Sequence, residues 1–179
     1  MHALLIFSRA VDRLNTGLGK LAAWAVLLAC VISAGNATFR YLFSNSSNAL
    51  LEIQWYLFSA SFLLGAAVTL KLNEHVRVDI LYMSVGERGR LWIDIIGFTV
   101  FMLPATTILT YMSWDFFMQS WIQNETSANA GGLIRWPVKL LMPVGFAMLS
   151  LQGVSELIKR IATLVGAIHI DTHYERPLQ

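Results

Sequence analysis

Charged side chains are scarce in this 179-residue sequence: Asp, Glu, Lys and Arg make up 13% of it, whereas hydrophobic residues make up 56%. Water-soluble domains carry about 25% charged residues, so this composition excludes an ordinary soluble domain. The mean hydropathy of +0.57 points the same way. The scarcity of charge therefore places most of the chain in a membrane.

The sequence also lacks the residues that build cofactor and metal sites. Cys30 is the only cysteine, which excludes an intramolecular disulfide and a cysteine-based metal cluster. A membrane cytochrome holds its haem with histidines inside the spans, but all four histidines lie in predicted tails or loops: His2, His75, His169 and His173. Nucleophile motifs, phosphate-binding loops, HExxH and internal repeats are absent as well. We therefore expect no catalytic residue, no metal, no cofactor and no nucleic-acid partner. We do not expect the protein to be an enzyme.

Four long apolar runs dominate the rest of the sequence. A helix needs about 20 mainly apolar residues to cross a bilayer, and the runs cover 21–39, 50–70, 91–111 and 138–157. Little sequence remains outside them. The pattern predicts an all-α integral membrane protein with four transmembrane helices, forming a single membrane domain over residues 1–179.

Positive charge alternates between the segments that join these runs. Most of it lies in the N-terminal tail, the middle loop and the C-terminal tail: Arg9, Arg13, Lys20, Lys71, Arg77, Arg88, Arg90, Lys159, Arg160 and Arg176. Only Arg40, Arg135 and Lys139 fall on the other side. Cytoplasmic segments carry an excess of Lys and Arg, so we expect both termini in the cytoplasm. Arg9, Arg13 and Arg160 are expected to meet anionic lipid.

Two segments outside the spans have a helical pattern. The apolar spacing in 73–86 suits a short helix lying along the inner surface, although a plain loop is an equal alternative. Aromatic residues recur at helical spacing through 115–123, so the third helix is expected to run past the membrane before Gly131 and Gly132 turn the chain back. Pro104 and Pro143 are expected to bend the third and fourth helices.

Polar groups that could carry chemistry are few inside the spans. Glu52, Lys71, Asp94 and Glu156 stand within a turn or two of a span end, and the deep parts contain no ionisable residue. Three amides come closest to the interior, namely Asn36, Gln54 and Gln152. Amides in this position more often join helices than bind ligands. The spans therefore predict a protein that packs against a partner and is not itself a pump.

Ordered short motifs give a family resemblance. Residues 36–43 (NATFRYLF), 51–55 (LEIQW), 62–67 (FLLGAA) and 73–79 (NEHVRVD) resemble the small membrane subunit of tripartite ATP-independent periplasmic (TRAP) transporters, the DctQ-like family. The stretch from His75 to Asp79 is the most specific part. Family members commonly have two adjacent acids at the start of the second helix, whereas here Glu52 is followed by Ile53. Any role of the second acid is therefore in doubt.

The resemblance implies partners and a function. A periplasmic solute-binding protein (P type) would capture an organic anion, and a large membrane subunit (M type) would move it inward with sodium. The small subunit would associate with the large one in a bacterial or archaeal inner membrane, in contact with membrane lipids. Residues 131–137 and 151–156 are similar to the branch assigned to mannitol, chloroaromatic or 2-oxo-acid uptake. We expect this chain to be a stationary scaffold for the large subunit.

Eight residues are candidates for subunit contacts or structural roles: Arg40, Tyr41, Glu52, Trp55, Gly65, His75, Arg77 and Asp79. Arg40 and Glu52 could pair with each other, touch the large subunit or meet headgroups. His75 and Asp79 are one helical turn apart, which favours a pair that organises the loop over a pH sensor. Gly65 belongs to a small-residue face for close helix approach, either within this chain or toward the partner. Tyr41 and Trp55 belong to the aromatic belt at the outer membrane surface.

Two other classes share some of these features. An accessory or anchoring subunit of a redox or biosynthetic membrane complex would have equally empty spans. A tetraspan adhesion protein has the same topology, but an oxidising compartment would favour paired cysteines in its outer loop. Cys30 alone cannot provide such a pair.

Overall fold

The computed structural model describes residues 1–44, 47–74 and 84–168, which are helical apart from turns and one isolated bridge between Thr126 and Ile134. Four long helices make up most of these ranges: α1 (His2–Phe43), α2 (Asn48–Lys71), α3 (Glu87–Ile122) and α4 (Trp136–Leu164). Each is long and apolar enough to cross a membrane. The predicted all-α class with four spanning helices is confirmed. The short helix expected at 73–86 falls largely on residues 75–83, which lie outside the described residues.

Helix α1 is much longer than the predicted span at 21–39. Its 42 residues extend over about 63 Å, roughly twice the hydrocarbon core of a bilayer. Residues 2–20, which we expected to be a tail, continue the helix instead. This part has no proline and is rich in good helix formers. It also buries Ser8, Val11 and Asn15 on one face, so packing stabilises it.

Helix α3 contains 36 residues and runs on to Ile122, as the aromatic spacing predicted. A wide π-turn occupies Gly97–Met102, directly before Pro104. The backbone N–H of Leu103 accordingly donates to the carbonyl of Phe98, five residues earlier. Pro104 has no N–H to offer the preceding turn, and wide turns of this kind absorb such an interruption. In α4, by contrast, the helix continues through Pro143.

Helix α4 is the central helix of the bundle. It packs against α1, α2 and α3, and α1 also packs along α2, while α3 makes its main contacts with α4. Glycine allows the closest approach: a Cβ at Gly145 would lie 2.8 Å from the Cβ and 3.0 Å from the carbonyl oxygen of Leu63 in α2. Small residues thus bring the backbones of α2 and α4 together, as is usual for helices in membranes.

Contacts between side chains fix the relative levels of the helices. The ammonium of Lys71 lies 2.7 Å from the hydroxyl of Thr16, and Gly19 lies against Val68, so α1 and α2 are antiparallel. Helix α2 therefore ends level with Thr16. Residues 2–15 of α1 extend past that end, beside the last part of α4.

The contact between Gly145 and Leu63 gives a stability prediction. The change Gly145→Ala should lower the free energy of unfolding by about 1–3 kcal/mol, because the new methyl group would overlap backbone atoms of α2. The matched control is Gly65→Ala, since a Cβ at Gly65 would lie 3.9 Å from the Cβ of Ala22, an ordinary contact. Unfolding of both variants by SDS in mixed micelles measures the difference. Equal stability of the two variants would contradict the close approach of α2 and α4.

Candidate functional site: polar clusters at both ends of the bundle

Beyond the end of α2, polar and charged side chains fill the space between α1, α3 and α4. We call this group the charge cluster; it consists of Ser8, Asp12 and Asn15 on α1, Asp94 on α3, and Gln152, Ser155, Glu156, Lys159 and Arg160 on α4. On α1 and on α4 these residues recur every three or four positions, which places them on one face of each helix. The cluster is therefore a polar seam that replaces apolar packing at this end.

Gln152 is the centre of the hydrogen bonds in the charge cluster. It is fully buried, and its carbonyl oxygen accepts a hydrogen bond of 2.7 Å from the amide of Asn15. Its own amide donates to the carboxylates of Asp12 at 2.8 Å and Glu156 at 3.0 Å. The expectation that Gln152 joins helices is confirmed.

Charged residues of the cluster on α4 pair with one another and with both neighbouring helices. Arg160 donates to the carboxylates of Asp94 at 2.7 Å and Glu156 at 2.6 Å. Lys159 lies 3.3 Å from the carboxylate of Asp12 and also bonds to Glu156. Each of these charges has a partner of opposite sign, which a charge needs when it leaves water.

The expectation that Arg160 meets anionic lipid is wrong. Its side chain is 8% exposed, and its guanidinium lies 4.7 Å from the ring centre of Phe98. Two carboxylates already neutralise it. Arg160 therefore belongs to the interior of the bundle, not to its lipid surface.

At the opposite end, a second group of residues holds the loop between α3 and α4. We call it the loop cluster; it consists of Glu52 on α2 and Ser127, Asn129 and Leu133 of the loop. One carboxylate oxygen of Glu52 accepts hydrogen bonds from the Ser127 hydroxyl and, at 2.9 Å, from the Asn129 amide. The other accepts the backbone N–H of Leu133 at 2.7 Å. Glu52 is buried, and the loop, rather than Arg40, engages its carboxylate.

The same loop is fastened to the start of α4. Glu125 pairs with Lys139 and, at 3.5 Å, with Arg135. The hydrogen bond from Lys139 lowers the pKa of the Glu125 carboxyl below its ordinary value. The rings of Trp121 and Trp136 meet edge to face with centres 4.5 Å apart, an arrangement that aromatic pairs favour. The two helix ends beside the loop are thus held together.

The five predicted residues that the structure describes do not lie together in one site. Arg40, Tyr41 and Trp55 are exposed, with Tyr41 89% accessible, whereas Glu52 is buried in the loop cluster. Gly65 faces Ala22 of α1, so its small-residue face serves the chain's own bundle. His75, Arg77 and Asp79 lie outside the described residues.

Sequence reasoning missed the part of the charge cluster that α1 supplies. Ser8, Asp12 and Asn15 stand at i, i+4 and i+7, and Gln152, Glu156 and Lys159 have the same spacing. This shared spacing marks one polar face on each helix. The signal was present, but assigning residues 2–20 to a tail concealed it.

The two clusters join helices and form no ligand cage. Among the described residues, no group of three or more His, Cys, Asp or Glu is placed to hold a metal ion. The carboxylates of Asp12, Glu52 and Glu156 each accept several hydrogen bonds within the chain. The arrangement is therefore suited to fixing helices at both ends.

A comparison with protein-family models matches residues 28–163 to DctQ, described as the DctQ component of tripartite ATP-independent periplasmic transporters. The match includes all of α2 and α3 and nearly all of α4. Among curated proteins and solved structures, none matches the chain.

The buried Arg160 gives a prediction for the charge cluster. The change Arg160→Met should cost about 3–5 kcal/mol, because it removes the Arg160 cation from the half-buried Asp94 and one of two cations from the buried Glu156. Arg40→Met removes an exposed charge and should change stability by less than about 0.5 kcal/mol. SDS unfolding of both proteins in mixed micelles tests this. A small loss in Arg160→Met would show that the cluster is open to water.

A second prediction concerns Glu52. The change Glu52→Gln removes one acceptor and should cost about 1–3 kcal/mol, because a buried donor loses its partner. We expect faster amide hydrogen exchange at Leu133 and easier proteolysis within residues 123–135. Glu74→Gln, an exposed acid just after α2, is the control. Unchanged exchange at Leu133 in Glu52→Gln would contradict the role of Glu52 as the anchor of the loop.

Proposed function

The chain belongs to the DctQ family, the small permease subunit of tripartite ATP-independent periplasmic transporters, and on this basis we propose that it is a stationary scaffold for the large membrane subunit. This family is a family of transporter subunits and not of enzymes. Membership favours the transporter over an accessory subunit of a redox or biosynthetic complex.

Rigidity at both ends of the bundle supports the scaffold. The charge cluster joins α1, α3 and α4 at one end, and Glu52 fastens α2 to the loop between α3 and α4 at the other. Between them, Gly145 brings α2 and α4 into backbone contact. These contacts hold the four helices to one another at three levels, as a scaffold requires. The chain is therefore suited to provide a fixed surface.

The transported solute in this proposal is an organic anion, a carboxylate such as a 2-oxo acid or an aromatic acid, taken up with sodium. The periplasmic solute-binding protein delivers it, and the large subunit carries the solute and ion sites. The family and the four membrane helices suggest an inner-membrane protein, and the distribution of Lys and Arg supports both termini in the cytoplasm. The solute class is suggested by residues 131–137 and 151–156, which are similar to the branch of the family assigned to mannitol, chloroaromatic or 2-oxo-acid uptake.

A disulfide across the bundle tests whether the helices of the proposed scaffold stay fixed relative to one another during transport. The hydroxyl oxygens of Ser8 and Ser155 lie 2.7 Å apart, so the double change Ser8→Cys and Ser155→Cys, made with Cys30→Ser, should allow a bond between α1 and α4. A disulfide sulfur pair is separated by about 2.05 Å. We expect sodium-driven uptake of radiolabelled carboxylates in proteoliposomes, per large subunit, to be the same before and after oxidation.

The single-cysteine variants control for oxidation elsewhere in the complex. Uptake that falls on oxidation and returns with a reductant, only in the double variant, would show that α1 and α4 move against each other and would overturn the proposal. In liposomes containing this chain alone, we expect no solute accumulation. Accumulation there would show that the chain itself carries cargo.

A further inference from the structure

A stripe of basic residues runs along α1 on the face turned away from the bundle. Arg9, Arg13 and Lys20 share this face with Gly17 and Trp24, and all five are exposed. At 3.6 residues per turn they fall within an arc of about 80°. The buried residues of this half of α1 lie on the opposite side: Ser8, Val11, Asn15, Ala22 and Ala25. We call the five exposed residues the basic stripe.

The level of this stripe follows from the contacts between α1 and α2. Lys71, the last residue of α2, contacts Thr16, and Val68 contacts Gly19. Gly17 is therefore nearly level with the end of α2, Arg13 lies about one turn beyond it, and Lys20 about one turn inside it. The 24 residues of α2 extend over about 36 Å, somewhat more than the hydrocarbon core. Its end thus falls at the level of the lipid headgroups.

Cations at this level need an anion. Within the described part of the chain, Arg13 and Lys20 take part in no ion pair, and the nearby Asp12 carboxylate is occupied by Lys159, Gln152 and Ser155. Lys71 turns inward, to the Thr16 hydroxyl. Long basic side chains in this position extend toward the phosphate of a lipid. Arg13 and Lys20, which lie on either side of Gly17, can therefore both reach the same lipid phosphate.

Gly17 provides the space between the two cations. A Cβ at this position would meet nothing within 4 Å, so no neighbour in the structure requires glycine here, although glycine is a much poorer helix former than alanine. The bare backbone lets a bulky group approach the helix axis. Trp24, about two turns deeper than Gly17, can lie beside the glycerol region, where indole rings are favoured.

We propose that Arg13 and Lys20, on either side of Gly17, bind the phosphate of an anionic phospholipid. Arg9, one turn farther out, adds a third positive charge beside the headgroup. It repels the cationic choline of a zwitterionic lipid but not the neutral glycerol of phosphatidylglycerol. The site therefore selects the anionic lipid. The lipid site depends only on the position of α1 relative to the bilayer surface, and not on the proposed scaffold role.

Native mass spectrometry of the full-length chain in a non-ionic detergent tests the site, with phosphatidylglycerol and phosphatidylcholine titrated separately. We expect one phosphatidylglycerol to bind well before any phosphatidylcholine. The double change Arg13→Gln and Lys20→Gln should weaken this binding about thirtyfold, because each basic residue near a membrane surface contributes about 1 kcal/mol. Arg40→Gln, at the other end of the same helix, should leave it unchanged.

Two further variants separate a defined site from general attraction. Gly17→Leu keeps every charge but fills the space, and it should weaken binding of phosphatidylglycerol at least tenfold. Arg13→Lys with Lys20→Arg keeps both charges and the open glycine, and it should bind. Equal binding of the two lipids, or full binding by the double glutamine variant, would overturn the proposal. So would a double glutamine variant that keeps the lipid but no longer co-purifies with the large subunit, because the stripe would then be a protein contact.

Discussion

The pairing of buried charge is the constraint on which this bundle depends. Glu156 and Arg160 are buried, and Asp94 is half-buried, at the end where α1, α3 and α4 extend beyond α2. A charge in that position is tolerated only with a partner of opposite sign close by. Because Asp94 on α3 and Asp12 on α1 pair with Arg160 and Lys159 on α4, satisfying these charges also fixes which helices are neighbours and at what level.

In the loop cluster, at the other end, hydrogen bonds from neutral donors and not an ion pair satisfy the buried carboxylate of Glu52. Glu52 satisfies donors from three positions in the loop between α3 and α4, and Asn48 and Tyr56 of α2 also donate to backbone carbonyls of this loop. In the apolar middle, contacts such as the one between Gly145 and Leu63 fix the distance between two helices but do little to fix how far one helix is shifted along the other. The polar ends therefore set the register, and the small residues set the spacing.

The sequence was sufficient to predict the number of helices, their apolar centres and the continuation of α3 to Ile122. It was insufficient for α1, because hydropathy detects the part of a helix that lies in hydrocarbon and not the part that continues outside it. Asp12 was therefore assigned to a tail, and Arg160 was expected at the lipid surface. The partners of Glu52 could not be predicted either, since Ser127, Asn129 and Leu133 are brought to it only by the path of the loop. Gln152 was predicted correctly because a buried amide has few roles other than joining helices.

The wide turn at Gly97–Met102 has a geometric effect on α3 as a whole. A π-turn adds one residue without adding a turn, which rotates everything after it by roughly 100° relative to an uninterrupted helix. Leu91 and Asp94 before the turn, and Thr106, Ser113 and Phe117 after it, would otherwise point in directions about 90° apart. The extra residue returns both groups to the same side, where Asp94 meets Arg160 and Thr106 meets Ser150 at 2.8 Å. The extra residue before Pro104 thus keeps one side of α3 turned toward α4 both before and after the π-turn.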